Sequence, residues 1–150
     1  MRVFSGLDEV ASAVGQHIGR SDWHSVTQEE VDAFAEATHD HQWIHVDVER
    51  ASHGPFGAPI AHGFLTLSLL AMFSKQTYRV ENIAMTINYG LNKVRFPQPV
   101  KVGSKVRASA DLIDVTDVAR GKQLVVRWTV EVDGAGKPAC VADMVSRLIG

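Results

Sequence analysis

The sequence of 150 residues contains a single cysteine, Cys140, so no disulfide can form within the chain. Neither charge is in excess: 15 Lys and Arg stand against 17 Asp and Glu, without the basic surplus that binding to a phosphate backbone requires. The most continuous apolar stretch, Gly63–Phe73, has about half the roughly 20 residues that a membrane-spanning helix needs. No signal-peptide pattern opens the chain. We therefore expect a cytoplasmic protein with neither nucleic acid nor a membrane as partner.

What is present is an ordinary globular composition, with 45% apolar and 21% charged residues. A compact domain of this length removes about 70% of its unfolded surface from water, enough for a core without disulfides or a structural metal. We find no internal repeat and no linker-like segment. The sequence therefore predicts one domain spanning residues 1–150.

The first half of the chain carries helix signals. Thr27 and Glu30 form a capping box, which predicts a helix that ends near Thr38, followed by a loop. Ser5 is expected to cap a short segment over residues 7–14, and Asp47 to cap a short turn that runs through Arg50.

A second helix is expected after Gly63, where the apolar residues up to Phe73 cover all sides and thus indicate complete burial. The remaining chain is rich in β-branched and alternating residues, which predicts strands at 84–89, 105–112, 124–132 and 139–148. Strands that follow one buried helix suggest an α+β domain in which an antiparallel sheet wraps that helix. An exposed edge of such a sheet would invite a second subunit.

Histidines cluster in one part of the chain, where His39, His41, His45 and His62 lie between positions 39 and 62. Asp40 precedes His45 by five residues. In a helix these side chains would diverge by about 140°, and in a strand they would point to opposite faces. They can meet on one small molecule only if the chain turns between them.

The segment resembles the signature of the MaoC-like dehydratases and R-specific enoyl-CoA hydratases, an aromatic residue followed by spaced Asp, His and Ala. The matching positions are Phe34, Asp40, His45 and Ala51. The family's hydrophobic-Ala-His-Gly element is matched by Ile60-Ala61-His62-Gly63, and residues 88–97 resemble its nodulation protein N-like subgroup. His39 stands where the family usually has Gly, and Gln42-Trp43 stand where it has Asn-Pro.

This resemblance implies a hot-dog fold, with an antiparallel sheet around a long buried central helix, and a homodimer. It also implies reversible hydration of trans-2-enoyl-CoA thioesters to R-3-hydroxyacyl thioesters, with acyl-CoA as the substrate and no cofactor. Asp40 and His45 would be the catalytic residues, with the choice of base between them left open because a shared proton belongs to the pair. The backbone N–H of Gly63 would stabilise the thioester oxygen, and Gln42 would contact substrate. His62 would either contact substrate as well or be a structural histidine beneath the start of the helix.

Two other functions fit the same residues, namely a hot-dog acyl-CoA thioesterase and a non-catalytic subunit that binds acyl thioesters. The pairing of Asp40 with His45 favours hydration over thioester hydrolysis, since water addition needs both a base and an acid. We expect no metal site, because no HExxH spacing is present and Cys140 has no second cysteine with which to bind a metal.

Overall fold

The computed structural model describes residues 1–150. The first half of the chain contains β1 (Arg2–Phe4), α1 (Leu7–Ser12), β2 (His17–Arg20), β3 (His24–Ser25), α2 (Gln28–Thr38), α3 (Trp43–Val46) and α4 (Val48–Ser52). The second half contains α5 (Gly63–Ser68), α6 (Leu70–Thr77), β4 (Tyr78–Val80), β5 (Met85–Arg95), β6 (Lys105–Val118), β7 (Gly121–Val132) and β8 (Cys140–Ile149). No helix is long and apolar enough to cross a membrane.

The main sheet is antiparallel, with strand order β2-β6-β7-β8-β5 and with β3 paired to β6. The inner face of the sheet buries alternate residues. On β6 these are the residues predicted to share one side, Val106, Ala108, Ala110 and Leu112. The four predicted strands are confirmed, and β5, β6 and β7 extend beyond their predicted ends. The α+β class is confirmed too, since the sheet packs on a helical segment and forms the hot-dog arrangement that the resemblance implies.

Helices α5 and α6 form the central helical segment, interrupted at Leu69, which nevertheless keeps right-handed helical angles. One side packs on the sheet and buries Leu65, Leu70 and Phe73. The opposite side is open, and Phe64 is 70% exposed. The expectation of burial on all sides is therefore wrong for a single chain, because one sheet can cover only one side of a helix.

Capping decides where α2 begins and ends. Oγ1 of Thr27 accepts a hydrogen bond from the backbone N–H of Glu30 at 3.2 Å, as the capping box predicts. The helix ends at Thr38, where expected. The cap assigned to Ser5 is wrong: no side chain caps α1, and the backbone N–H of Ser5 donates to the Glu9 carboxylate at 2.6 Å.

The four short strands β1 to β4 were not predicted from the sequence. β1 pairs in parallel with β4, with Phe4 opposite Val80, and β2 and β3 add to the edge of the main sheet. Each has two to four residues, too few for an alternation to be visible. Their pairing depends on partners far away in sequence, which a local pattern does not reveal.

Candidate active site

The chain turns sharply where α2 ends. His39 adopts the left-handed conformation, with φ 61° and ψ 20°, and the next residue, Asp40, leaves the helix with an exposed side chain. Oδ1 of Asp40 accepts a long hydrogen bond from the backbone N–H of Gln42 at 3.3 Å. This is the turn that the Asp40 and His45 spacing requires.

His45 lies in α3 and is buried, with 6% of its surface exposed. Its backbone N–H donates to the carbonyl of Gln42, which caps α3, at 3.0 Å. Its own carbonyl accepts from Nε2 of Gln28 at 2.8 Å, which ties α3 to the start of α2. These contacts bring three side chains together: a carboxylate oxygen of Asp40 and one ring nitrogen each of His45 and His62 all lie within 4.8 Å of one another.

The imidazole of His45 has a defined tautomer. Nδ1 lies 2.6 Å from the carbonyl oxygen of Ile60, and because a carbonyl only accepts, Nδ1 carries the hydrogen. Burial lowers the pKa of His45 below its ordinary value and His62 lowers it further, against the Ile60 hydrogen bond and Asp40, which raise it. His45 therefore holds an unprotonated Nε2 in the neutral pH range, which suits a general base.

His62 connects the two halves of the site. Its ring stacks on that of His45, with centroids 3.8 Å apart and planes 23° from parallel, and Phe34 packs against it at 4.9 Å. Nε2 of His62 lies 2.9 Å from the carbonyl oxygen of Asp40. Gly63 follows as the first residue of α5, so the two motif segments identified in the sequence meet in space.

The side chain of Trp43 occupies the position where the family has proline. The Arg50 guanidinium lies 4.2 Å from its ring centroid, and a Cβ on Gly54 would lie 3.0 Å from the ring. Asp47 caps α4 as predicted, accepting from the backbone N–H of Arg50 at 3.0 Å. Packing around Trp43 thus orders the loop that proline would stiffen.

Sequence reasoning missed two residues that orient His45, namely Ile60 and Gln28. Ile60 acts through its main-chain carbonyl, which no side-chain pattern reports. Gln28 lies 17 positions before His45, inside the first turn of α2, where a glutamine is unremarkable. Gln42, expected to contact substrate, is exposed at the N-terminus of α3.

Asp40, His45 and His62 are also the group that could hold a cation, given their donor atoms within 4.8 Å of one another. Ligands of one tetrahedral zinc ion lie about 3.4 Å apart, as follows from zinc–nitrogen bonds of about 2.1 Å. The limit of 4.8 Å on the spacing of the three ligand atoms is wider than this. The expectation of no metal stays a prediction.

Comparisons with known proteins agree with the motifs. The family described as "MaoC like domain" matches residues 9–134. The chain is 55% identical over 150 residues to 3-hydroxyacyl-thioester dehydratase Z of Mycobacterium tuberculosis, covering 99% of each chain. It is 46% identical over 145 residues to nodulation protein N of Rhizobium leguminosarum bv. viciae, covering 93% of this chain and 89% of that protein.

Among solved structures, the (R)-hydratase from A. caviae involved in PHA biosynthesis superimposes with a TM-score of 0.74. The two chains are 27% identical, and the match covers 90% of this chain and 96% of that one. The resemblance found in the sequence motifs is confirmed: this chain belongs to the MaoC-like domain family.

Proposed function

We propose that this protein catalyses the reversible hydration of trans-2-enoyl-CoA thioesters to R-3-hydroxyacyl-CoA thioesters. The observation that carries the proposal is a buried His45 whose Nδ1–H donates to the Ile60 carbonyl, which leaves Nε2 unprotonated, while one ring nitrogen of His45 lies within 4.8 Å of an Asp40 carboxylate oxygen. The full-length relative named as a 3-hydroxyacyl-thioester dehydratase and the (R)-hydratase neighbour support the same reaction.

Hydration needs a base for water and an acid for carbon. In the proposed step Nε2 of His45 takes a proton from a water molecule that Asp40 orients, and the water oxygen bonds to the β-carbon. The π electrons of the C=C bond shift towards the thioester carbonyl and give an enolate. The α-carbon of this enolate then takes a proton from the Asp40 and His45 pair. Each acid–base role is worth about 10²- to 10⁴-fold in rate.

The developing enolate oxygen needs a hydrogen-bond donor. We assign this role to the backbone N–H of Gly63, because the first N–H groups of a helix lack partners within the helix. Gln42, with its exposed side chain beside Asp40, is proposed to contact the substrate. Addition of water is redox-neutral and both proton transfers are assigned to Asp40 and His45, so the proposal invokes no cofactor and takes acyl-CoA only as substrate.

We further propose that residues 1–150 act as one MaoC-like unit in a cytoplasmic homodimer. β5 forms one edge of the sheet and is exposed along nearly its whole length, with apolar side chains at Met85, Ile87, Tyr89 and Leu91. An apolar exposed edge strand is a surface that proteins normally cover.

Two cavities of about 530 and 280 Å³ lie between β5 and the open side of the central helix, and both are lined by Ala71 and Asn88. A second copy of the chain, paired through β5, would cover the open side of these cavities, so that they could enclose an acyl chain.

The test combines purified protein with a short trans-2-enoyl-CoA and follows three signals: enoyl absorbance, free thiol and product chirality. Loss of absorbance without thiol release, giving R product, supports hydration. Thiol release would replace it with a thioesterase. Binding without either change, across several chain lengths, would instead assign a non-catalytic acyl-thioester-binding subunit.

A further inference from the structure

His62 is almost completely buried, with 3% of its surface exposed, although it is polar and sits directly before α5. It is the N-cap residue of that helix, yet its side chain makes no capping hydrogen bond. The ring contacts two other rings: it stacks on that of His45 and meets that of Phe34 at a tilt of 54°. The imidazole is therefore used for contacts other than holding its own helix.

Its hydrogen bond reaches across 22 positions to the main chain of Asp40. The Asp40 carbonyl can only accept, so Nε2 of His62 carries the hydrogen and donates over 2.9 Å. Nδ1 of His62 is buried without a partner. Asp40 follows a left-handed residue, and its only other polar contact is the long one from Gln42, so the bond from His62 is the firm anchor of this segment.

We propose that His62 is a positioning residue for the dyad of Asp40 and His45: its Nε2–H fixes the main chain of Asp40 while its ring fixes the imidazole of His45. This inference rests on the proposed function and deepens it. One side chain sets the distance between two catalytic groups that come from opposite sides of a turn. The sequence left His62 open between substrate contact and a structural role, and its geometry favours a role between the two proposed catalytic groups.

Two substitutions separate the two contacts. His62→Phe keeps a ring for stacking but leaves the Asp40 carbonyl without a donor, and His62→Gln keeps an amide donor but removes the ring. With His62→Phe, kcat falls between about 10- and 100-fold while KM stays within about threefold, because misplaced groups slow the chemistry more than binding. His62→Gln recovers part of the kcat. His53→Gln, an exposed histidine in the same loop, leaves kcat unchanged.

A double-mutant cycle tests whether His62 acts through Asp40. In the Asp40→Asn background, His62→Phe lowers the residual rate by less than about twofold, because residues that act as a unit are non-additive. A full additional loss in that background, or wild-type kcat in folded His62→Phe, overturns the proposal. If His62→Phe does not fold, the same comparison is made with His62→Gln, where wild-type kcat in that variant would likewise reject the role.

Imidazole titration by NMR gives a readout that does not depend on turnover. The titratable groups that act on His45 are Asp40, after α2, and His62, before α5. His62 lowers the pKa of His45, so in His62→Phe the His45 midpoint moves to higher pH. An unmoved midpoint contradicts contact between the rings. An inactive wild type with a shifted midpoint would reject the hydratase activity and leave the positioning intact.

Discussion

Nδ1 of His45 lies 2.6 Å from the carbonyl oxygen of Ile60, a hydrogen bond that joins α3 to the segment leading into the central helix. The bond fixes both the orientation of the ring and its tautomer. Because the hydrogen is held on Nδ1, the proton-accepting atom is Nε2, and one ring nitrogen of His45 lies within 4.8 Å of an Asp40 carboxylate oxygen. This geometry supports the proposed role of His45 as the base, a choice that the sequence left open.

Removing either proposed catalytic group, Asp40 or His45, should abolish most of the activity and leave the protein folded. We expect Asp40→Asn and His45→Gln each to lower kcat for enoyl-CoA hydration by at least about 10²-fold, since each removes an acid–base function. Steady-state kinetics and thermal melts provide the measurement. Asp114→Asn, at an exposed carboxylate in β6, is the matched control and should retain full kcat. Unreduced kcat in either variant would disprove the assignment.

The lowered pKa of His45 predicts a pH dependence of stability. In the unfolded chain the imidazole titrates near its ordinary value of about 6.5, whereas burial keeps it unprotonated to lower pH in the folded protein. Below about pH 6.5 the unfolded chain binds more protons, so the free energy of unfolding falls as pH drops towards the folded pKa. Urea unfolding between about pH 5 and 8 measures this slope. It should be smaller in His45→Gln, and an equal slope would contradict the shift.

His39→Gly should stabilise the protein. His39 holds φ 61°, a conformation that costs a non-glycine residue about 1 kcal/mol or more and that glycine adopts freely. We expect the free energy of unfolding to rise by up to about 1 kcal/mol. The gain from relieved strain is partly offset because glycine loses more conformational entropy on folding than other residues do. Chemical denaturation measures the change. His39→Ala keeps the strain and serves as the control, so an equal gain in both variants would rule out the left-handed conformation as the cause.

Gly63→Ala tests the proposed oxyanion donor. The added methyl would lie 3.2 Å from the ring of Phe96, a half-exposed side chain that can shift slightly. If the thioester oxygen binds at the Gly63 N–H, the methyl crowds it, and kcat/KM falls about 10- to 10²-fold. The double variant with Phe96→Ala removes the ring contact and should not restore activity. Restoration would mean that Gly63 serves only the packing of Phe96.

Ile87→Lys tests the proposed dimer. Ile87 is exposed on the edge strand β5, and a charge there would have to be desolvated between two paired copies. Light scattering coupled to size exclusion should show the wild type at about twice the chain mass of 16.4 kDa and the variant shifted towards one chain. Val14 is an exposed apolar residue away from β5, and Val14→Lys should keep the molar mass of the wild type. A wild type that is monomeric would reject the dimer.

Much of the fold was predictable because its signals are local. The capping box at Thr27 and Glu30 depends on groups three residues apart, and the alternation along β6 follows from the geometry of a strand facing a core. The motif around Asp40 and His45 was likewise readable, since residue type and spacing carry it. Local patterns fail for β1 and β4, whose pairing joins segments more than 70 positions apart.

The chain's residue order alone settled which chemical groups are available: a carboxylate and an imidazole five positions apart, and a glycine that opens a helix. Folding determined how these groups are arranged. The αL turn at His39 brings Asp40 and His45 to one place, the Ile60 carbonyl selects the tautomer, and His62 spans the pair. These contacts connect residues 15 and 22 positions apart through main-chain carbonyls and ring faces. Neither the carbonyl contacts nor the ring stacking has a sequence signature. Every residue has a main-chain carbonyl, and the geometry between two rings exists only once the chain has folded.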